Sequence, residues 1–265
     1  MNGRAARLAL GLWLLATLAG ADASGSRDAG DPHTRAQSVL ADLRLQDARL
    51  TDEVLDARAN LVFGYDGLVR IQRETETLIA KLAQEPLVTE PGIASAFAEL
   101  DAARRHKAEL VERFKSENAI LRNSRHYLPA LSAQLDSAIA SGAVSRSTAT
   151  IVAQLLEDTA TYGREGGVQG RDELETTAFL LSGSGNDESL VETAAIHAQI
   201  LLDHAPVVDR LVAEIRACPT QAGVEKLRYA LDQRSARLSR QRGDARTAAE
   251  SASASDLAPA FGAMP

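Results

Sequence analysis

Cysteine and aromatic residues are scarce in this sequence. Among its 265 residues only Cys218 is a cysteine, and aromatic residues make up 4%. A single cysteine excludes an intrachain disulfide and most cysteine-rich metal sites. We expect its thiol to be buried and unreactive rather than nucleophilic. The scarcity of aromatic residues beside abundant Ala, Leu and Arg favours helices packed through aliphatic side chains over a β-sandwich.

Long basic segments and catalytic motifs are also missing. The formal net charge is −7, which argues against general nucleic-acid binding. The sequence contains no glycine-rich phosphate loop after a strand, no HExxH metal motif and no nucleophile elbow. His197 and His204 are seven residues apart, which is a poor spacing for holding one metal ion on a helix. The sequence therefore predicts neither an enzyme nor a cofactor.

Apolar residues recur in alternating steps of three and four from Leu40 to Leu82. This heptad pattern predicts one long helix, beginning near Arg35, that packs along partner helices as in a coiled coil. Gly64 and Gly67 interrupt the pattern. They indicate either a close approach of two helices or a kink.

A second heptad pattern covers residues 92–127. The short connection before it predicts an antiparallel hairpin over 35–128. Pro129 is expected to end its second helix or to bend it sharply. Shorter helical patterns occupy 130–217, and a last one over 220–249 is expected to return along the hairpin. We therefore predict an all-α fold, an elongated antiparallel helical bundle.

Both ends of the sequence differ in composition from this helical domain. Two arginines precede a short apolar run at 8–20, and small residues follow it, which is typical of a signal peptide over 1–23. An uncleaved membrane anchor is the alternative. Residues 24–34 predict a flexible lead-in and 250–265 a disordered tail, because both are polar or rich in small residues. We expect an exported, periplasmic protein, or one anchored in the inner membrane.

The densest polar cluster lies on the second predicted helix, at residues 115–127. Asn118 occupies the heptad stripe there, where a buried amide commonly sets the register of paired helices. The alternative is a polar ligand pocket shared with the residues around the glycines of the first helix. Spacing alone favours the structural role and leaves the pocket open. The candidate ligand-binding residues are Arg58, Asn60, Tyr65, Asp66, Ser116, Asn118, Asn123 and Ser124.

Three stretches of the sequence resemble a known family. They are ARANLVFGYDGLVR (57–70), ERFKSENAILRNSRHYLPAL (112–131) and HAQILLDHAPVVDRLVAEIRACPT (197–220). They are similar to the DAHL domain, the all-helical extracytoplasmic sensor region of bacterial two-component histidine kinases. The resemblance extends over about residues 37–240 and implies a sensor domain within 35–249. It implies no particular ligand.

The sequence departs from that family after its last helical pattern. A DAHL kinase continues into a second membrane helix, whereas residues 243–265 are polar and contain no apolar run of about 18 residues. The phosphoacceptor helix and the ATP-binding glycine box of a kinase are missing from the sequence as well. We therefore expect either a stand-alone sensor module or the truncated front of a kinase.

Two functions remain open from the sequence. The first is an exported, non-catalytic sensor that binds an unknown small ligand or a partner protein. The second is a structural or interaction protein, a self-associating periplasmic helical bundle. Heptad patterns and the sensor resemblance both predict association, as a homodimer or with a membrane sensor that detects a change of conformation.

Overall fold

The computed structural model describes residues 31–165, 167–182 and 189–257. Over these ranges the chain is helical apart from short connections and contains no strand, so the predicted all-α class is confirmed. A short 3-10 helix at Pro86–Thr89 follows the second α-helix. The α-helices are α1 (Pro32–Arg58), α2 (Asp66–Ala83), α3 (Pro91–Ala140), α4 (Arg146–Glu165), α5 (Gly167–Ser182), α6 (Ser189–Ala217) and α7 (Thr220–Leu257).

Two predicted irregular segments are partly helical. Residues 32–34 of the predicted lead-in begin α1, because proline is well suited to the first helical position. Residues 250–257 of the predicted disordered tail extend α7, where alanines favour a helix and proline is missing. The predicted signal peptide and the remainder of both segments lie outside the described residues.

The prediction of one continuous helix from Arg35 through Leu82 is wrong, because residues 59–65 separate α1 from α2. Asn60 has a φ of 62°, a left-handed conformation that asparagine tolerates better than most residues. The Asn60 amide donates to the Ala57 carbonyl, and the Leu61 amide donates to the Asp56 carbonyl. Together these two bonds form a Schellman motif that ends α1.

The two glycines of the first heptad pattern have different positions. Gly64 lies in the connection between α1 and α2, so it is not part of a helix. Gly67 lies in the first turn of α2, where an added Cβ would come within 2.5 Å of the Glu53 Cδ. The atoms beside Gly67 therefore belong to the end of a flexible side chain, and the chain leaves the helix beside Gly64.

Of the two alternatives for Pro129, an end of the second helix is wrong. It lies within α3, which continues to Ala140. Leu128 and Leu131 on either side of it are almost completely buried. Burial of two leucines offsets the roughly 3 kcal/mol that an interior proline costs a helix. Pro206 is likewise inside α6.

The described chain divides into two compact units. The first unit combines residues 31–45, 75–101 and 221–257. Its helices approach closely at Gly223, where an added Cβ would lie 3.1 Å from the Leu100 Cα. Its core is entirely aliphatic and consists of Ala36, Leu40, Leu43, Ile79, Leu82, Leu87, Val88, Ile93, Ala96, Leu100, Val224, Leu227 and Leu231.

The second unit combines residues 46–74 and 102–220. Within it α4, α5 and α6 pack against one another. Its core contains Phe114 and Leu121 of α3 and Tyr162 of α4, together with aliphatic residues. Every buried polar or charged residue of the described chain also lies in this unit. They are Lys107, Asn118, Ser124, Thr148, Asp158, Thr159, Thr177 and Thr220.

Candidate functional site

Asn118 of α3 connects the end of α1 to the residue before α2. Its side chain is buried, with the residue 3% exposed. The Asn118 Nδ2 donates to the Ala57 carbonyl oxygen at 3.2 Å and to the Tyr65 hydroxyl oxygen at 3.1 Å. A buried amide needs such partners, because an unpaired polar group in a core costs about 1–3 kcal/mol. One side chain therefore fixes both ends of the connection 59–65.

Arg122, one turn further along α3, holds the middle of the same connection. Its Nη1 donates to the Phe63 carbonyl oxygen at 2.6 Å. Its guanidinium carbon lies 5.2 Å from the centre of the Tyr65 ring, a distance at which a cation and an aromatic face attract. The Phe63 side chain itself points away from the core and is 80% exposed. The sequence analysis did not predict Arg122, although it lies four residues after Asn118 on the same helix.

Two histidines of α6 bond to two polar residues of α3. The His197 Nδ1 lies 3.2 Å from the buried Ser124 Oγ, and the His204 Nδ1 lies 2.6 Å from the Glu117 Oε2. The two histidines are seven residues apart, and so are their partners on α3. The later histidine bonds to the earlier partner, so α3 and α6 are antiparallel here. The His197 ring also lies 4.4 Å, centre to centre, from the Tyr127 ring.

Burial lowers the pKa of His197 below its ordinary value. The neutral imidazole is therefore the preferred form at neutral pH. Among the residues that the structure describes, no group of three or more His, Cys, Asp or Glu side chains could hold a metal ion.

Two arginines and one aspartate lie close together at the end of α1. The Arg58 Nε donates to the Asp209 Oδ1 at 2.6 Å. Burial, and then the positive charge of Arg58, lower the pKa of Arg125 from its ordinary value. The Arg125 Nε is buried and has no hydrogen-bond partner among the described residues.

A buried ion pair lies elsewhere in the second unit. The Lys107 Nζ is 2.7 Å from the Asp47 Oδ1, and the Thr220 Oγ1 donates to the same oxygen at 2.7 Å. The Cys218 thiol donates to the Ala103 carbonyl, and burial raises the pKa of that thiol. Sequence analysis missed this pair, although Asp47 and Lys107 both occupy heptad stripes.

A family model for the DAHL domain matches residues 29–246 of this chain. The chain belongs to the DAHL domain family. This confirms the resemblance in the sequence and places the chain in a family of helical sensor-type domains rather than catalytic ones. No curated protein and no solved structure matches the chain.

Among its described residues, this DAHL domain has no helix long and apolar enough to cross a membrane.

Four of the eight predicted site residues of the DAHL domain, Arg58, Tyr65, Asn118 and Ser124, make side-chain hydrogen bonds to segments distant in the sequence. Tyr65 bonds to Asn118, Arg58 to Asp209 and Ser124 to His197.

The other four predicted residues lie on exposed faces. The Ser116 hydroxyl donates to the Glu112 carbonyl of its own helix, and Asn60 shapes the end of α1. Asp66 lies in the first turn of α2, and Asn123 is exposed on α3. The eight residues therefore do not converge on one pocket, and ligand binding by any of them stays a prediction.

A cavity of about 520 Å³ also lies between α4 and α5. Its walls include Asp158, whose two carboxylate oxygens accept hydrogen bonds from Gln154 at 2.7 Å and Thr177 at 2.6 Å. Because both oxygens are occupied, Asp158 joins the two helices and its charge is already stabilised.

Proposed function

We propose that this DAHL domain is an exported, non-catalytic sensor that responds to a small ligand or a partner protein. One observation supports this: α3 fastens the connection 59–65 through polar side chains at both ends and in the middle. The contacts are those of Asn118 with Ala57 and Tyr65, and of Arg122 with Phe63. Hydrogen bonds are directional, so a displacement of the connection must also change α3.

The proposed response is a shift of α1 and α2 against α3. Asn118 can bond to Ala57 and Tyr65 together only while the end of α1 and the start of α2 keep their present spacing. Each such bond contributes about 1 kcal/mol, so two states that differ by a few bonds are separated by a few kcal/mol. A ligand that prefers one state by a similar amount would shift the population between them.

We propose that the output of this response reaches a partner protein. Leu61 and Phe63, in the same connection, are largely exposed. Exposed apolar side chains that are rigidly presented are typical of protein contact sites. The partner is a membrane sensor or a second copy of the chain, and it detects the position of the connection.

Ligand binding is tested with the purified full-length protein and a panel of sugars, amino acids, carboxylates and phosphate. We expect at least one compound to raise the melting temperature and to protect residues 59–65 from hydrogen exchange. In Arg122→Met that protection should be lost, because the bond to the Phe63 carbonyl is removed. Arg113→Met, an exposed position on the same helix, is the matched control. Equal protection in both variants would contradict coupling through Arg122.

Partner binding is tested by co-purification from membranes with the signal segment intact, followed by a kinase assay. Phe63→Ser should reduce recovery of the partner, whereas Tyr229→Ser, which removes another exposed aromatic residue on α7, should not. The partner proposal would be contradicted if the protein is recovered from the periplasmic fraction without a partner and its loss alters no sensor output.

A second candidate function is self-association of a periplasmic helical bundle. Phe179 and Leu180 of α5 and Ile196 of α6 are exposed apolar residues on two helices that pack against each other. Analytical ultracentrifugation separates the two candidates. A dimer that Phe179→Ser dissociates would support self-association, whereas a monomer at all concentrations would exclude it.

A further inference from the structure

A groove lies between the start of α1 and the end of α2, within the first unit of the chain. Its volume is about 540 Å³, which is in the range of protein pockets that hold small molecules. One wall is a stripe of α1 that consists of Arg35, Ser38, Val39 and Asp42. The other wall consists of Leu78 and Lys81 of α2 and the segment up to Pro86. A molecule in this groove would therefore contact both helices.

The bottom of the groove is apolar. Val39 of α1 and Leu78 of α2 are half-buried and pack against the aliphatic core of the first unit. The same two side chains also line the groove. An aliphatic group that covers them is removed from water together with them, which is favourable in proportion to the apolar area covered. The groove therefore suits a ligand with an aliphatic part.

One end of the groove is bounded by an ion pair between Arg35 and Glu85. The Arg35 Nε donates to the Glu85 Oε1 at 2.9 Å, and the Arg35 Nη2 donates to the Glu85 Oε2 at 2.8 Å. Two parallel hydrogen bonds satisfy both charges, so this end of the groove offers no free charge to a ligand. The pair also shows that α1 and α2 are antiparallel here, because the start of α1 meets a residue just after the end of α2.

Two other groove residues carry opposite charges that remain unpaired. Asp42 of α1 and Lys81 of α2 are exposed, and neither forms a hydrogen bond or an ion pair with a described residue. They do not bond to each other either, although both line the same groove. A carboxylate and an ammonium group on facing walls, with a gap between them, are complementary to a molecule that carries both charges.

The register of the two helices sets the spacing of these charges. Asp42 follows Arg35 by seven residues, about two turns along α1. Lys81 precedes Glu85 by four residues, about one turn along α2. Because the helices are antiparallel, the two charges are offset by about one turn along the groove, roughly 5 Å. A hydrogen bond at each end of an α-amino acid spans such an offset, since a single carbon separates its ammonium group from its carboxylate.

We propose that the groove between α1 and α2 binds a small zwitterion, an α-amino acid with an aliphatic side chain. The ammonium group of the ligand donates to the Asp42 carboxylate, and the carboxylate of the ligand accepts from the Lys81 Nζ. The aliphatic side chain lies on Val39 and Leu78, away from water. This site goes beyond the proposed function, because it lies in the first unit and takes no part in the contacts of the connection 59–65.

The first test compares ligands by calorimetric titration of the full-length protein. L-Leucine should bind, whereas isocaproate lacks its ammonium group and isoamylamine lacks its carboxylate. Each analogue should bind more weakly than leucine by a factor of about ten or more, because one charge of the groove stays unpaired. Glycine, which lacks the aliphatic side chain, should also bind more weakly than leucine. Equal affinity of leucine and either single-charge analogue, or no binding of leucine, would overturn the proposal.

The second test uses variants of the two charged residues. Asp42→Asn and Lys81→Met should each weaken leucine binding by a factor of about ten or more, because each removes one charged partner. Both positions are exposed, so these variants should fold like the wild type. Asp52→Asn makes the matched change at an exposed position of α1 outside the groove and should bind leucine like the wild type. Wild-type affinity in either groove variant would overturn the proposal.

Hydrogen exchange locates the ligand and separates this site from the proposed function. L-Leucine should slow exchange at residues 78–86 in the wild type but not in Lys81→Met. If leucine protects 78–86 and leaves 59–65 unchanged, the groove site is supported and the sensor response to this ligand is contradicted. If another compound protects 59–65 while leucine protects neither segment, the sensor response is supported and the groove site is overturned.

Discussion

The two units of this DAHL domain are built from similar heptad patterns but stabilised differently. The stripe of the first unit carries Leu40 and Leu43 into a core made only of aliphatic side chains. The stripes of the second unit carry Lys107 and Asn118 into the interior, each about 3% exposed. In the first unit, Lys226 and Glu99 form an ion pair at the surface.

The two kinds of core restrict the arrangement of their helices to different degrees. Apolar burial is non-directional, so an aliphatic core accepts small rearrangements at little cost. A buried amide or ammonium group is stable only with its partners in place, which restricts a core to few arrangements. The second unit, where the arrangements are restricted, is therefore the unit in which a displacement has discrete consequences.

We expect the largest loss of stability when Lys107 is replaced. Lys107→Ala leaves the Asp47 carboxylate without its cation, and should lower the free energy of unfolding by about 3–5 kcal/mol in urea titrations. Replacing both partners, as in Asp47→Leu with Lys107→Met, should cost much less, because no unpaired charge remains. A loss below about 1 kcal/mol for Lys107→Ala would show that the pair does not stabilise the second unit.

Asn118 should have a smaller effect. Asn118→Ala removes the donor to the Ala57 carbonyl and the Tyr65 hydroxyl, and should cost about 1–3 kcal/mol by the same titration. Asn123→Ala, at an exposed position on the same helix, should change stability by less than about 0.5 kcal/mol. Similar losses at both positions would contradict the importance of the buried amide.

The stability of the second unit should also depend on pH through His197. Burial lowers its pKa in the folded state, so the unfolded chain binds the proton more readily. The contribution of His197 to the free energy of unfolding is therefore complete above the ordinary histidine pKa, near 6.5. It is lost as the pH falls through the folded-state pKa.

Melting temperatures measured between about pH 7 and pH 5 should fall less in His197→Gln than in the wild type. A wild-type curve with the same slope as that of the variant would contradict this assignment.

The smallest effect is expected in the first unit. Lys226 and Glu99 are 57% and 52% exposed, so water screens their ion pair. Lys226→Ala should cost less than about 1 kcal/mol, and the loss should diminish in high salt. A loss as large as that of Lys107→Ala would remove the contrast between the two units.

Heptad spacing was sufficient to predict the all-α class, because apolar periodicity is the strongest signal for packed helices. It could not predict the break after α1, because Asn60 ends that helix through a local left-handed conformation that the spacing of apolar residues does not reveal. Nor could it predict that α3 passes through Pro129, where burial of neighbouring leucines outweighs the local preference.

The contact between Tyr65 and Asn118 could be predicted from the sequence, because an amide on a heptad stripe requires a partner on the facing segment. The burial of Lys107 could not be predicted, because charged residues are usually exposed and only the packing of distant segments decides which are buried. The bonds of His197 and His204 to α3 likewise depend on a pairing of helices that spacing within one helix cannot reveal.

The order in which the ribosome makes the chain affects the two units unequally. All segments of the second unit have been synthesised once Thr220 is added. The first unit needs Val224, Leu227 and Leu231 of α7 to cover Ala36 and Leu40 of α1. Gln37 and Asp232, which bond across that unit, are separated by 195 positions. At about 5–20 residues per second, the apolar face of α1 stays uncovered for roughly ten seconds or more, during which a chaperone can bind it.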